Sequence, residues 1–180
     1  MCISACHRQR GLTLIELIMF IVIVGVALAG ILTVFNVTTR SSTDPMIRKQ
    51  MLAIAEAVLE EVQLQPFTLC DPDDPNAATA TNPGGCTTPE AIGPEAGETR
   101  GSATTPFDNV NDYNGLAGIT TSITGGAMPS GYSAAVSVTQ NALNGIAATE
   151  SLRITVTVTH GTDSLALEGY RTRHSPNLLP

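Results

Sequence analysis

Glu16 is the residue whose placement most demands a chemical explanation. It stands at the edge of nineteen residues, Leu17 to Phe35, in which Thr33 is the only polar side chain. A carboxylate near the centre of a bilayer costs on the order of 2.5–3.5 kcal/mol on insertion scales, so an acid there needs a partner. The preceding run, Gln9-Arg10-Gly11-Leu12-Thr13-Leu14-Ile15, offers one. Cutting the chain after Gly11 would give Leu12 a free amine four residues from Glu16. Amine and carboxylate would then neutralise each other inside lipid or a helical bundle.

Other reactive groups are fewer. Cys2 and Cys6 would leave with the segment removed by that cut, whereas Cys70 and Cys86 would remain. An even pair outside the inner membrane meets an oxidising periplasm, where a disulfide persists. Closing a loop of ~17 residues contributes roughly 3 kcal/mol in the chain-entropy model. Two cysteines with no third and no spaced histidine make a poor zinc site. Asp71, Asp73 and Asp74 cluster, as do Asp108, Asn109, Asn111, Asp112 and Asn114. Neither run has EF-hand spacing, and Asx turns are the commoner use of such residues, so no metal is assigned and calcium is left open. His160, Asp163 and Ser164 lie close together, but a hairpin turn would display them to solvent without an oxyanion donor or a pocket. His160 and His174 read as surface residues, and Glu60-Glu61 as a solvated face. No catalytic residue and no cofactor are expected.

The elements that must position these groups follow from charge and periodicity. The 180 residues carry a net charge of −7. Arg8 and Arg10 fall in the first eleven residues, so the remainder holds seven bases against sixteen acids, or −9. An acidic body lacks the basic face that displaces counterions from phosphates, so nucleic acid is excluded as a partner. A basic start before an apolar run is the asymmetry of a chain crossing a membrane with its N-terminus inside. As a helix the run from Leu17 to Phe35 would be roughly 28 Å long, close to the ~30 Å of a bilayer core. It is too long for a secretory signal, and no small-residue cleavage pattern follows it.

Asp44-Pro45 reads as an N-cap with proline at the first helical position, or else as a proline inside one longer helix. Either way, helix is expected from Pro45 to Gln65. Its apolar stripe is Ile47, Met51, Ile54, Val58 and Val62, broadened by Leu52 and Leu59. Bases near its start and acids near its end oppose the macrodipole, so it should depend on packing against a sheet. Residues 71–131 are rich in Pro and Gly and read as long loops. Leu152 to Thr159 alternates apolar and polar strictly, a half-buried strand. A turn at His160–Asp163 leads into a returning strand, Ser164 to Thr172. Tyr132 to Thr139 supplies a third strand with Tyr132, Ala134, Val136 and Val138 on one face. Leu116 to Thr124 is a weak fourth candidate. The expected class is α+β, a long N-terminal helix laid on a small antiparallel sheet.

Arg10-Gly11-Leu12-Thr13-Leu14-Ile15-Glu16 before an apolar helix resembles the prepilin signature of type IV pilins and type II secretion pseudopilins. The resemblance implies cleavage after Gly11 by a prepilin peptidase, N-methylation of Leu12 and a role for Glu16 in filament assembly. Most members have Phe where this chain has Leu12, and Leu keeps the apolar character. Asp44-Pro45-Met46, Ala53 to Val62, Pro66 to Asp74 and Pro106 to Gly115 are similar to minor pilins of the mannose-sensitive haemagglutinin (MSHA) pilus. The implied organisation is a leader (1–11), a transmembrane or assembly half of the helix (12–40) and a periplasmic pilin-like domain (41–180). Within that domain lie an amphipathic helix (45–65), a loop-rich region (71–131) and antiparallel strands (132–173). The implied function is that of a structural subunit of an attachment pilus, held in the inner membrane, N-terminus cytoplasmic, and later at the cell surface. Its partners would be other pilin subunits, the peptidase, the inner-membrane assembly platform and, before assembly, lipid. Two alternatives stand beside it: a minor pseudopilin of type II secretion, and a signal-anchored periplasmic binding domain.

Overall fold

The computed structural model describes Gly11 and residues 13–177, without the side chains of residues 36–44. Leu12, expected to carry the new amine and its methyl group, lies outside the described residues, as do residues 1–10 of the leader. The Asp44 side chain, read as an N-cap, lies outside them too. The chain divides into two units, Met1–Met46 and Ile47–Pro180. Helix α1 is Leu14–Leu64, with Pro45 inside it. The arrangement is α+β.

In the first unit, Leu14–Phe35 is long and apolar enough to span a membrane, and its side chains are exposed. A helix with no polar stripe has no face to bury against a domain, so lipid or other helices are its natural surroundings. Thr33, its one hydroxyl, donates to the Ala29 carbonyl at 2.8 Å, so that polar group is satisfied inside the helix.

The second unit is built on a three-stranded antiparallel sheet of order β1-β2-β3, with β1 at Tyr132–Gln140, β2 at Ser151–His160 and β3 at Asp163–Thr172. Period-2 alternation sends Tyr132, Ala134, Val136 and Val138 of β1 to the same face as Leu152, Ile154, Val156 and Val158 of β2, all buried. Register aligns them across the sheet: Val136 stands opposite Val156, which stands opposite Leu167. The β2–β3 turn is tighter than its sequence suggests. His160 and Asp163 already pair, leaving only Gly161 and Thr162 between them. Gly161 takes φ 59°, as the first central position of a type II′ turn requires.

The part of α1 within this unit covers the sheet through Met51, Ala55, Val58, Leu59 and Val62. The buried stripe is thus rotated from the expected one. Ala55 joins it, whereas Ile47 and Ile54 are only partly buried and Leu52 is 39% exposed. The reason lies in β3. Gly169 has no side chain, and a Cβ there would stand 2.5 Å from Gln63 Nε2 and 3.0 Å from Leu59 Cδ1, so the helix approaches the sheet closely at Leu59 and Gln63. Leu116 to Thr124 forms no strand. Ile119 makes an isolated bridge to Ala134, and Thr121 another to Ala127.

Residues 66–131 join the main core through Phe67, Phe107, Val110, Tyr113 and Ile119, and a second, smaller cluster lies around the disulfide. Cys70 and Cys86 form a disulfide with their Cα atoms 5.4 Å apart. Leu69, Ala77 and Ala80 pack around it. Near the other end of the chain, Asn177 Nδ2 donates to the carbonyls of Ala77 and Ala80 at 2.7 and 2.9 Å. The enclosed segment has few apolar contacts, so its order depends on the covalent link. Cys70→Ser should therefore lower stability by about 3 kcal/mol. Calorimetric melting of the oxidised full chain in detergent reads this directly, and equal melting of variant and parent would show the bridge to be dispensable.

Candidate functional site

Two regions bear on function, one in each unit. In the first, Gly11 is exposed, and a Cβ built on it would meet no heavy atom within 4 Å. Thr13 precedes the first helical residue, Leu14, and its Oγ1 accepts from the Glu16 backbone N–H at 3.4 Å. Thr13 is thus the N-cap and Glu16 the third helical residue, the spacing of a capping box. A carboxylate in the first turn also meets the positive end of the helix macrodipole, worth roughly 0.3–1 kcal/mol. The T-x-x-E spacing of Thr13 and Glu16 carries this local use in the sequence itself. The two uses are compatible: backbone capping engages Thr13 Oγ1 and leaves the Glu16 carboxylate available.

In the second unit the loops gather carboxylates. The Asp and Asn runs do form Asx turns: Asp71 Oδ1 accepts from Asp73 N at 2.7 Å, Asp74 Oδ1 from Asn76 N at 2.7 Å, and Asn109 Oδ1 from Asn111 N at 3.5 Å. Asp74 Oδ2 also accepts from Thr88 N, and that bond holds its carboxyl below the usual range. Asp112, on the 3₁₀ turn Val110–Tyr113, is fully buried. Its Oδ2 accepts from Asp108 N at 3.0 Å and Asn109 N at 2.7 Å.

Glu90 and Glu95 approach Asp112 from a neighbouring loop, and oxygens of the three carboxylates lie within 4.8 Å of one another. Backbone bonds fix this meeting. Glu90 N donates to Leu69 O at 3.1 Å beside the disulfide, and Gly93 N donates to Asn111 O at 3.1 Å. Burial, then repulsion from Glu95 and Asp112, pushes the Glu90 carboxyl up to about 9. Burial first, and then like charge, raises Glu95 to about 7. Burial is again the main cause that raises Asp108 and Asp112 to about 7. A second trio, Asp71, Asp73 and Asp108, meets the same distance limit but is more exposed. Glu90 and Glu95 belong to neither run singled out in the sequence. The disulfide, the backbone pairing of residues 69–71 with 88–90 and the Gly93–Asn111 bond bring them in.

Glu61 departs from the solvated reading. Arg100 Nε and Nη2 donate to its two oxygens, each at 2.7 Å, and the side chains are 12% and 8% exposed. Tyr113 Oη adds a bond to Glu61 Oε1 at 3.1 Å, and Arg100 Nη1 donates to Thr121 O at 2.9 Å. Glu60 is exposed as expected. The pair ties the loop of residue 100 to helix α1. Around His160, Tyr132 stacks with ring centroids 4.3 Å apart, so this histidine packs on a strand end.

Residues 6–32 match the prokaryotic N-terminal methylation motif, the prepilin signature. Neither the curated proteins nor the solved structures offer a significant match. The motif, with the exposed apolar helix behind it and the α+β domain, supports a type IV pilin-like protein. That class covers pilins and pseudopilins, and the motif points to a structural family. The signature implies assembly with other pilins and processing by a prepilin peptidase, and with the apolar helix it marks a single-pass inner-membrane anchor.

Proposed function

We propose that the chain is a minor type IV pilin of the MSHA pilus, similar to MshD, and serves in assembling a surface filament used for attachment. The observation that carries this reading is the prepilin signature at residues 6–32 with Glu16 in the first turn of an apolar helix. The finer assignment is supported by the segments 44–46, 53–62, 66–74 and 106–115, which resemble MSHA minor pilins. The leader is residues 1–11, the assembly half of the helix 12–40, and the remainder faces the periplasm before it joins the filament. Cleavage after Gly11 frees the Leu12 amine, which is then methylated. The helix leaves lipid for a bundle of like helices, and Glu16 offsets its burial there against an N-terminal amine. A type II secretion pseudopilin shares the same motif, and fractionation separates the two: a pilin co-purifies with sheared surface fibres, a pseudopilin stays in the envelope.

Glu16→Val tests the mechanism. The variant should be cut normally yet enter sheared fibres at a small fraction of the parent level. Thr13→Ala, which removes only the cap, costs about 1 kcal/mol of helix stability and should leave incorporation near normal. Equal incorporation of Glu16→Val and the parent would remove the role given to that carboxylate. Retention of residues 1–11 in the presence of the peptidase would instead favour a signal-anchored periplasmic domain.

A further inference from the structure

We propose that Glu90, Glu95 and Asp112 bind one calcium ion that fastens the loop at residues 90–98 to the 3₁₀ turn Val110–Tyr113. This does not depend on the filament reading, since it needs only the folded second unit. Four observations carry it. The three carboxylates come from two parts of the chain, Glu90 and Glu95 from one loop and Asp112 from the 3₁₀ turn, yet place oxygens within 4.8 Å of one another. Oxygens bound to one calcium at about 2.3–2.6 Å can stand no more than about 5 Å apart, so the trio fits around a single ion. Asp112 is wholly buried, and its Oδ1 has no hydrogen-bond partner, although Oδ2 has two. Both oxygens of Glu90 are likewise shielded from solvent, with the Asn111 side chain as their one polar neighbour besides the acids.

No arginine or lysine among the described residues forms an ion pair with any of the three: Arg100 is engaged by Glu61 and Arg173 by Glu150. Three acids that converge without an ion-paired cation, with oxygens of Glu90 and Asp112 turned away from water, are arranged for a ligand that brings positive charge and takes oxygen. Asn111, 3% exposed on the same turn, holds a further oxygen without a partner. The choice of ion follows from the donor set. It contains only hard oxygens, with no nitrogen or sulfur, and three protein carboxylates exceed the one or two that magnesium usually takes. The exposed trio Asp71, Asp73 and Asp108 receives no assignment, because Asp71 Oδ1 is already used in an Asx turn.

The test uses the full chain in non-ionic detergent, stripped with EDTA and titrated with calcium chloride alone at pH 7.5. Calorimetry should show saturable one-site heat with a dissociation constant of about 10⁻³ M or tighter, the range of extracellular calcium modules. The melting temperature should rise with each added increment of calcium, and magnesium should bind at least tenfold more weakly. Asp112→Asn should lose at least tenfold in affinity. Because Asp112 also accepts two backbone bonds, Glu95→Gln provides a second variant at a half-buried position. It should weaken calcium binding at least tenfold while melting, without calcium, at or above the parent temperature. A cooperatively melting parent chain with neither saturable heat nor a melting shift would overturn the site, as would parental affinity in both variants.

Discussion

Gly11→Val is expected to leave the chain at its precursor length in cells that contain the prepilin peptidase, while the parent loses residues 1–11. The effect should be close to all-or-none, because a branched side chain at the residue before the scissile bond must fit the enzyme's pocket. The substitution tests that pocket cleanly. Gly11 is exposed, and a Cβ there would meet nothing within 4 Å, so the variant disturbs no packing of its own. Gly11→Ala adds one methyl group and should be cut at an intermediate rate, which grades the steric argument. Intact mass and N-terminal sequencing provide the readout. Parental cleavage of Gly11→Val, or a new terminus elsewhere than Leu12, would remove the basis for an exposed amine beside Glu16. The later steps assigned to that amine, methylation and charge pairing, would fall with it.

Much of this architecture is legible in the sequence because it is periodic. The three strands announce themselves through alternation, and Tyr132, Ala134, Val136 and Val138 share the buried face that their spacing implies. The apolar run before Phe35 needs nothing beyond its length. Non-local placement was not legible. Ala55 carries no strong periodic signal, and the strand residues it packs with lie far along the chain. Glu90 and Glu95 sit in loop sequence with no pattern, and non-local contacts bring them to Asp112: the disulfide, the pairing of residues 69–71 with 88–90, and the Gly93–Asn111 bond. Glu61 looked like one of two adjacent surface acids. Its neighbour Glu60 points to solvent, and a 39-residue separation hides the arginine that sets Glu61 apart. A helix position adjacent to an exposed acid can lie at the edge of the buried stripe, and nothing within the helix reveals what covers it.

The last expectation concerns that pair. Arg100→Ala should destabilise the second unit by about 3 kcal/mol, the lower end for breaking a buried ion pair, because the Glu61 carboxylate stays beneath the loop without its cation. Tyr113 would remain its single donor, at 3.1 Å. For a unit of this size the loss corresponds to a fall of roughly 10 °C in melting temperature. Glu61→Gln should cost less, about 1–2 kcal/mol, since the amide oxygen still accepts from Tyr113 or Arg100 while the charge-assisted share is lost. The informative variant is the double replacement Glu61→Met with Arg100→Met. Bringing both charges out of water has its own cost, so two apolar side chains of similar reach should restore much of what Arg100→Ala loses. The groove beside the pair is lined by Ala57, Val58, Ile123 and Met128, which gives those methionines apolar neighbours. Recovery in the double variant would identify the pair as a device for seating the loop of residue 100 in one register, with little net stability of its own. A double variant as unstable as Arg100→Ala would mean that the bidentate bonds and the Thr121 carbonyl contact are themselves stabilising. Parental melting of Arg100→Ala would show that Glu61 reaches solvent once the arginine is gone, and the buried-pair reading would then fail.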